Sequence, residues 1–156
     1  MSRAFVSEEA AEASAARLPE RPVSTAPNLV TPRGLELIEA EVTRLHDMLG
    51  GKTPDDPQWA GIARDLRYWR SRRASAQVVA PVGGPPEEVA FGATVTIRRG
   101  GPTMSYRVVG EDEADPPKNL LSWTSPLARS LMGAQAGNVV DADGGRPAVT
   151  VVDVQG

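Results

Sequence analysis

The chain has 156 residues, with 17 Lys+Arg against 20 Asp+Glu and one His, giving a formal net charge of −3. That is room for one ordinary domain or two very small ones. Only 40% of residues are apolar and 4% aromatic, while 15 Gly and 14 Pro imply turns and linkers, so a single large core is excluded. The absence of cysteine removes a disulfide framework, a thiolate zinc site and a thiol nucleophile together. One histidine cannot build a multi-histidine metal site. No window approaches 18 continuous apolar residues and the first residues lack an apolar secretory core, so the expectation is a soluble cytoplasmic protein with no membrane contact.

In chain order, residues 1–29 are rich in Ala, Glu, Pro and Ser, and Pro19, Pro22 and Pro27 would break any helix early. This stretch reads as a flexible tail. Thr31-Pro32 then offers a hydroxyl N-cap and an N1 proline, followed by Leu35, Ile38, Val42, Leu45 and Leu49 at spacings of 3, 4, 3 and 4. That is a heptad seam. Gly50-Gly51 stops the helix, and Asp56-Pro57 repeats the start signal for a second, with Trp59, Ile62, Leu66, Trp69 and Ala76 on one stripe and Arg73 between the last two. Residues 30–78 therefore predict an antiparallel helical hairpin, each arm ~28–31 Å long at ~1.5 Å per residue. No third or fourth amphipathic helix exists to complete a bundle.

Residues 79–87, including GlyGlyProPro at 83–86, read as a linker. Beyond them the apolar period changes from 3.6 to 2. FGATVTI (91–97) and MSYRVV (104–109) predict a β-hairpin across Arg99-Gly100-Gly101-Pro102, and Leu120–Trp123 predicts a third strand. Ser125-Pro126 caps a short helix, LARSLM, that ends at Gly133. Residues 138–142 and 148–154 predict a last hairpin. The fold class is α+β: a helical hairpin followed, over residues 88–156, by a small antiparallel β domain with one short helix.

FGATVTI (91–97), YRVVGEDEAD (106–115) and SPLARSLMG (125–133), with the nearby Gly137, resemble the C-terminal domain of the Gre-type transcript cleavage factors of bacterial RNA polymerase. VTPRGLELIEAEVTRL (30–45) is similar to the start of that family's N-terminal coiled coil. The resemblance spans residues 30–156. It implies an FKBP-like C-terminal domain that grips the rim of the polymerase secondary channel, and a hairpin threaded down the channel. In such factors a DLSENAEY-like motif at the hairpin tip helps hold a second magnesium for hydrolysis of backtracked RNA, because carboxylates are hard oxygen ligands for a metal held weakly by the polymerase alone.

The chain departs from that pattern at the tip, where only GGKTPDDPQ lies between Leu49 and Trp59 and the arms are shorter by several turns. Each lost turn removes ~5.4 Å of reach. Asp55 and Asp56 read either as a relocated acidic pair or as a loop residue and a helix N-cap. The resemblance is therefore to short-hairpin members that occupy the channel entrance without supplying cleavage carboxylates. It implies core polymerase as partner, contact with nascent RNA, a monomer, and no cofactor of its own, any magnesium belonging to the polymerase active centre.

The resemblance also places Trp123, Thr124, Ser125, Pro126 and Leu127 against the polymerase rim, although Ser125-Pro126 equally serves as cap and N1 proline, and Trp123 and Leu127 as core. Glu111, Asp112, Glu113 and Asp115 form an acidic run that is no EF-hand and reads as a surface for a basic partner or as a solvated turn. Residues 58–78 carry Arg64, Arg67, Arg70, Arg72 and Arg73 against Asp65 alone, while residues 110–156 carry seven acids against three bases. The arginine face suits RNA phosphates or acidic channel walls, but the negative total opposes free binding to a duplex. His46 beside Asp47 has no nucleophile in a motif with it and reads as a surface residue. An active cleavage factor using Asp55 and Asp56, and a prolyl isomerase built on the FKBP-like fold, remain as rival functions. The latter would need an apolar pocket that Phe91, Tyr106 and Trp123 alone can hardly line.

Overall fold

A computed structural model describes residues 18–80, 86–141 and 148–156. The chain divides into two compact units. One contains Glu36–Ser75 with the described residues up to Thr25; the other contains Ala26–Leu35 and the described residues from Ala76 onward. The chain is α+β, as the change of period at residue 90 implies.

In the first unit, helix α1 (Pro32–Gly50, which starts in the other unit) and helix α2 (Trp59–Ser75) form the hairpin. Val42, Leu45, Ile62 and Leu66 are buried together, with Leu49 and Trp69 packed on their rim. The seam works because i, i+3, i+4 and i+7 share one face of a 3.6-residue helix. Gly51 and Lys52 donate back to the carbonyls of Met48 and Leu49, closing α1 where the double glycine permits it. At 19 and 17 residues, α1 and α2 are about 28 and 26 Å long. One stripe position differs from the expected one: Arg72, not Arg73, turns inward and is 1% exposed, while Arg73 faces solvent. At about 100° per residue, Arg72 lies off the Ile62–Leu66–Trp69 stripe, so the burial on this turn of α2 does not follow the seam spacing.

Of the stretch expected as a tail, residues 18–28 form no helix or strand but contact α2, and residues 1–17 lie outside the described ones. Glu20 bonds Arg67 and Arg21 lies over the Tyr68 ring of α2.

The second unit holds strands β1 (Leu29–Val30) and β2 (Gln77–Val78), a parallel pair with no counterpart among the expected elements, and a five-stranded sheet. That sheet comprises β3 (Thr94–Arg98), β4 (Thr103–Val109), β5 (Leu120–Ser122), β6 (Val139–Val140) and β7 (Val149–Gln155), in the order β5-β4-β3-β7-β6. The expected antiparallel arrangement holds except at β5, which runs parallel to β4 after a 3-10 turn at Pro116–Lys118. Register shifts by one residue between Thr96 and Ile97, leaving Val152 of β7 as a bulge. Alternate residues Val95, Ile97, Val108, Val149, Val151 and Val154 point to one face, where Ala128 and Leu131 of helix α3 (Pro126–Leu131) close the core. Residues 142–147, inside the last expected hairpin, and 81–85, inside the expected linker, lie outside the described residues.

Candidate functional site

Helix α3 starts as its sequence dictates. Ser125 is extended (φ −67°, ψ 152°), its hydroxyl accepts from the Ala128 N–H at 3.4 Å, and Pro126 fills N1. Gly133, at φ +82°, supplies the left-handed turn that ends the segment and donates to the Val89 carbonyl. The structural reading of this segment holds: Ser125 caps and Leu127 packs against the core, while Pro126 stays exposed. Trp123 is half-buried against the same core, and its indole N–H has no acceptor among the described residues.

The four acids of the run differ in burial: Glu111, Asp112 and Asp115 are half-buried and Glu113 is buried. Glu111 accepts from the Thr124 hydroxyl at 3.1 Å, and the Thr124 hydroxyl also lies 2.7 Å from that of Ser122, so the start of the acidic loop is tied to the segment ahead of α3. Those two predicted contact groups are brought together. Asp112 is half-buried, and Asp115 faces Lys118 at 3.8 Å.

Glu113 departs from the expectation of a surface acid: it is buried, and its carboxylate accepts from the Thr31 hydroxyl at 2.6 Å. The same Thr31 oxygen accepts from the Gly34 N–H at 2.9 Å, capping α1 while it donates to Glu113. Two glycines make room for this arrangement. A Cβ on Gly34 would sit 2.9 Å from the Glu113 carboxylate, and one on Gly110 would sit 2.5 Å from the Leu29 carbonyl. Sequence reading placed Thr31 as the cap but had no signal for its partner 82 residues away.

At the hairpin tip both aspartates serve local structure. The Asp55 carboxylate accepts from the Thr53 hydroxyl, which holds its pKa below the usual aspartate range. Asp56 accepts from the Gln58 N–H at 2.8 Å ahead of α2 and lies 3.7 Å from the Lys52 ammonium. Among the described residues no three His, Cys, Asp or Glu side chains cluster to hold a metal ion. His46 is exposed, 3.5 Å from Asp47.

The arginine face is only partly open. Arg70 and Arg73 are exposed, Arg64 is half-buried 3.3 Å from Asp65, and Arg67 is held by Glu20 at 2.6 Å. The Arg67 guanidinium draws the Glu20 pKa below the usual glutamate range. Arg21 lies 3.6 Å from Asp65 with its guanidinium 3.9 Å from the Tyr68 ring centroid, and Tyr68 packs edge-on against Trp69.

A cavity of about 230 Å³ in the second unit has Phe91 as its aromatic wall among the described residues, with Val79, Ala90 and Ala93 beside it. Tyr106 and Leu127 line a different, smaller cleft with Met104. Among the described residues no helix is long and apolar enough to cross a membrane.

These features define a protein with a charged helical hairpin and a small β unit that presents a capped turn beside an acidic loop. The sequence profile for "Transcription elongation factor, GreA/GreB, C-term" matches residues 84–155. The transcription elongation factor GreB of Neisseria meningitidis serogroup A is 30% identical over 155 residues, covering 82% of this chain and 93% of that protein. The transcription elongation factor GreA of Halorhodospira halophila is 40% identical over 104 residues, covering 63% of this chain and 65% of that one. The solved GreA/GreB factor from Nitrosomonas europaea aligns over 82% of this chain and 98% of its own, with a TM-score of 0.42 and 22% identity. The chain belongs to the GreA/GreB family of transcription elongation factors.

Proposed function

We propose that this chain is a regulator that binds core RNA polymerase at the secondary channel and modulates elongation without strong stimulation of transcript cleavage. The β unit docks on the channel rim through Trp123, Thr124, Ser125, Pro126 and Leu127 with Glu111, Asp112 and Asp115 beside them. The short hairpin enters the channel, where Arg64, Arg67, Arg70 and Arg73 meet nascent RNA or the channel wall. It acts as a cytoplasmic monomer, catalyses no reaction itself and carries no cofactor; any magnesium is the polymerase's.

The observation that carries this reading is the tip. Its two adjacent carboxylates are each engaged locally, Asp55 by Thr53 and Asp56 by Gln58 and Lys52, on arms only 19 and 17 residues long. A metal site needs its oxygen ligands free and in reach. The rival, an active cleavage factor, draws support from Asp55 being exposed and kept ionised.

Binding to core polymerase tests the docking. The paired substitution Glu111→Arg and Pro126→Ala, at a half-buried and an exposed position, should weaken the complex by about tenfold or more, a loss of ~1.4 kcal/mol that one hot-spot contact can supply. Undiminished binding of that variant, or no binding by the wild type, would overturn it.

A further inference from the structure

The segment ahead of the hairpin lies on the surface proposed to meet nucleic acid, and the way it lies there is specific. Glu20 places a carboxylate on the Arg67 guanidinium, with Nε and Nη2 both within 2.9 Å of the same oxygen. The next residue, Arg21, places a planar, delocalised group 3.9 Å above the Tyr68 ring and 5.8 Å from the Trp69 ring. An anion on an arginine and a flat group on an aromatic ring, one residue apart, are the two contacts a single nucleotide makes with a single-strand binding surface: phosphate to guanidinium, base to ring. Pro19 and Pro22 flank the pair and restrict its backbone.

We propose that Glu20-Arg21 is a built-in nucleotide mimic, a strap that occupies the Arg67–Tyr68 surface of α2 and must leave before single-stranded nucleic acid can bind there. This rests on the proposed use of the arginine face for nascent RNA. The strap is suited to displacement. Glu20 and Arg67 side chains are 60% and 47% exposed, so the ion pair is wet and weak, and the Arg21 contact is a surface cation–π stack. A strand brings successive phosphates, so the exposed Arg70, one turn on from Arg67, adds a contact that one carboxylate cannot match. The strap thereby sets a threshold: isolated nucleotides and short strands do not open it, whereas a strand delivered at high local concentration does.

The test uses the full chain with a fluorescein-labelled 12-nucleotide oligouridine, and the matching oligothymidine to separate RNA from DNA, followed by anisotropy from 25 to 200 mM salt. The double substitution Glu20→Ala with Arg21→Ala leaves the net charge unchanged, so a gain in affinity cannot be bulk electrostatics. It is expected to tighten binding about threefold to tenfold at low salt, the combined worth of a surface ion pair and a cation–π contact. In an Arg67→Ala/Tyr68→Ala background the same strap substitutions should change affinity by less than about twofold. Equal or weaker binding by the strap variant, no binding by either protein, or a gain that persists without Arg67 and Tyr68 would overturn the proposal. Polymerase binding measured on the same proteins separates this from the reading it rests on: a strap with no effect in a chain that still binds polymerase refutes only the mimic, and loss of polymerase binding refutes only the regulator.

Discussion

Replacing Thr31 by Val removes one oxygen that does two things. The hydroxyl caps α1 through the Gly34 N–H and donates to Glu113, which is 9% exposed. Loss of an N-cap costs about 1 kcal/mol. Leaving a buried carboxylate without its donor costs about 1.5–3 kcal/mol more, because nothing offsets the hydration lost on folding. The total is about 2.5–4 kcal/mol, which for a chain of this size lowers the melting temperature by roughly 5–15 °C. Circular dichroism melts and urea titrations measure it directly. Serine at position 31 keeps the oxygen and should cost less than about 1 kcal/mol. In a Glu113→Leu background, Thr31→Val should cost only the cap, about 1 kcal/mol, so the double-mutant cycle should show coupling of at least about 1.5 kcal/mol. Equal costs in both backgrounds would mean that Thr31 is a cap and nothing else, and that the base of α1 is not tied to the loop after β4.

Gly110→Ala should destabilise the β unit by about 2–3 kcal/mol in the same melts, since its Cβ meets the Leu29 carbonyl and backbone must move. Asp56→Ala should cost about 1 kcal/mol as a lost cap of the turn into α2, whereas Asp55→Ala should leave stability within ~0.5 kcal/mol, both read by urea titration. Glu20 carries a pKa lowered chiefly by its hydrogen bond to Arg67, so its pairing is complete above the ordinary glutamate range and is lost as pH falls through the lowered value. The Arg67 Nε–H nuclear magnetic resonance signal should follow that titration, with a midpoint below the ordinary glutamate value, and should stop doing so in Glu20→Gln.

How much of this was legible depended on the range of the interaction. The hairpin was, because its seam, caps and glycine stop are local: Thr31-Pro32, Leu35 to Leu49 and Gly50-Gly51 each act within one or two turns. The Ser125 cap and the Gly133 stop were legible for the same reason. The β1–β2 pair was not, since two-residue strands 48 positions apart have no period to detect, and β1 sits in a proline-rich stretch. Glu113 was misjudged because four acids in five residues look alike in sequence, and only burial beside Thr31 sets one apart. Arg72 was missed because the seam spacing points to Arg73, and nothing local in the sequence marks which of two adjacent arginines is buried. The strap had one faint signal: Glu20-Arg21 is charge-complementary to Asp65 and Arg67, two residues apart on a helix with almost no other acid.

Transcript cleavage in a stalled, backtracked elongation complex, measured with this chain alone and with an active cleavage factor in competition, tests the regulator role most directly. A channel-occupying regulator gives no stimulated cleavage and inhibits the added factor. Stimulated cleavage that disappears when Asp55 and Asp56 are both replaced by Ala would contradict it and place those carboxylates at the polymerase's metal.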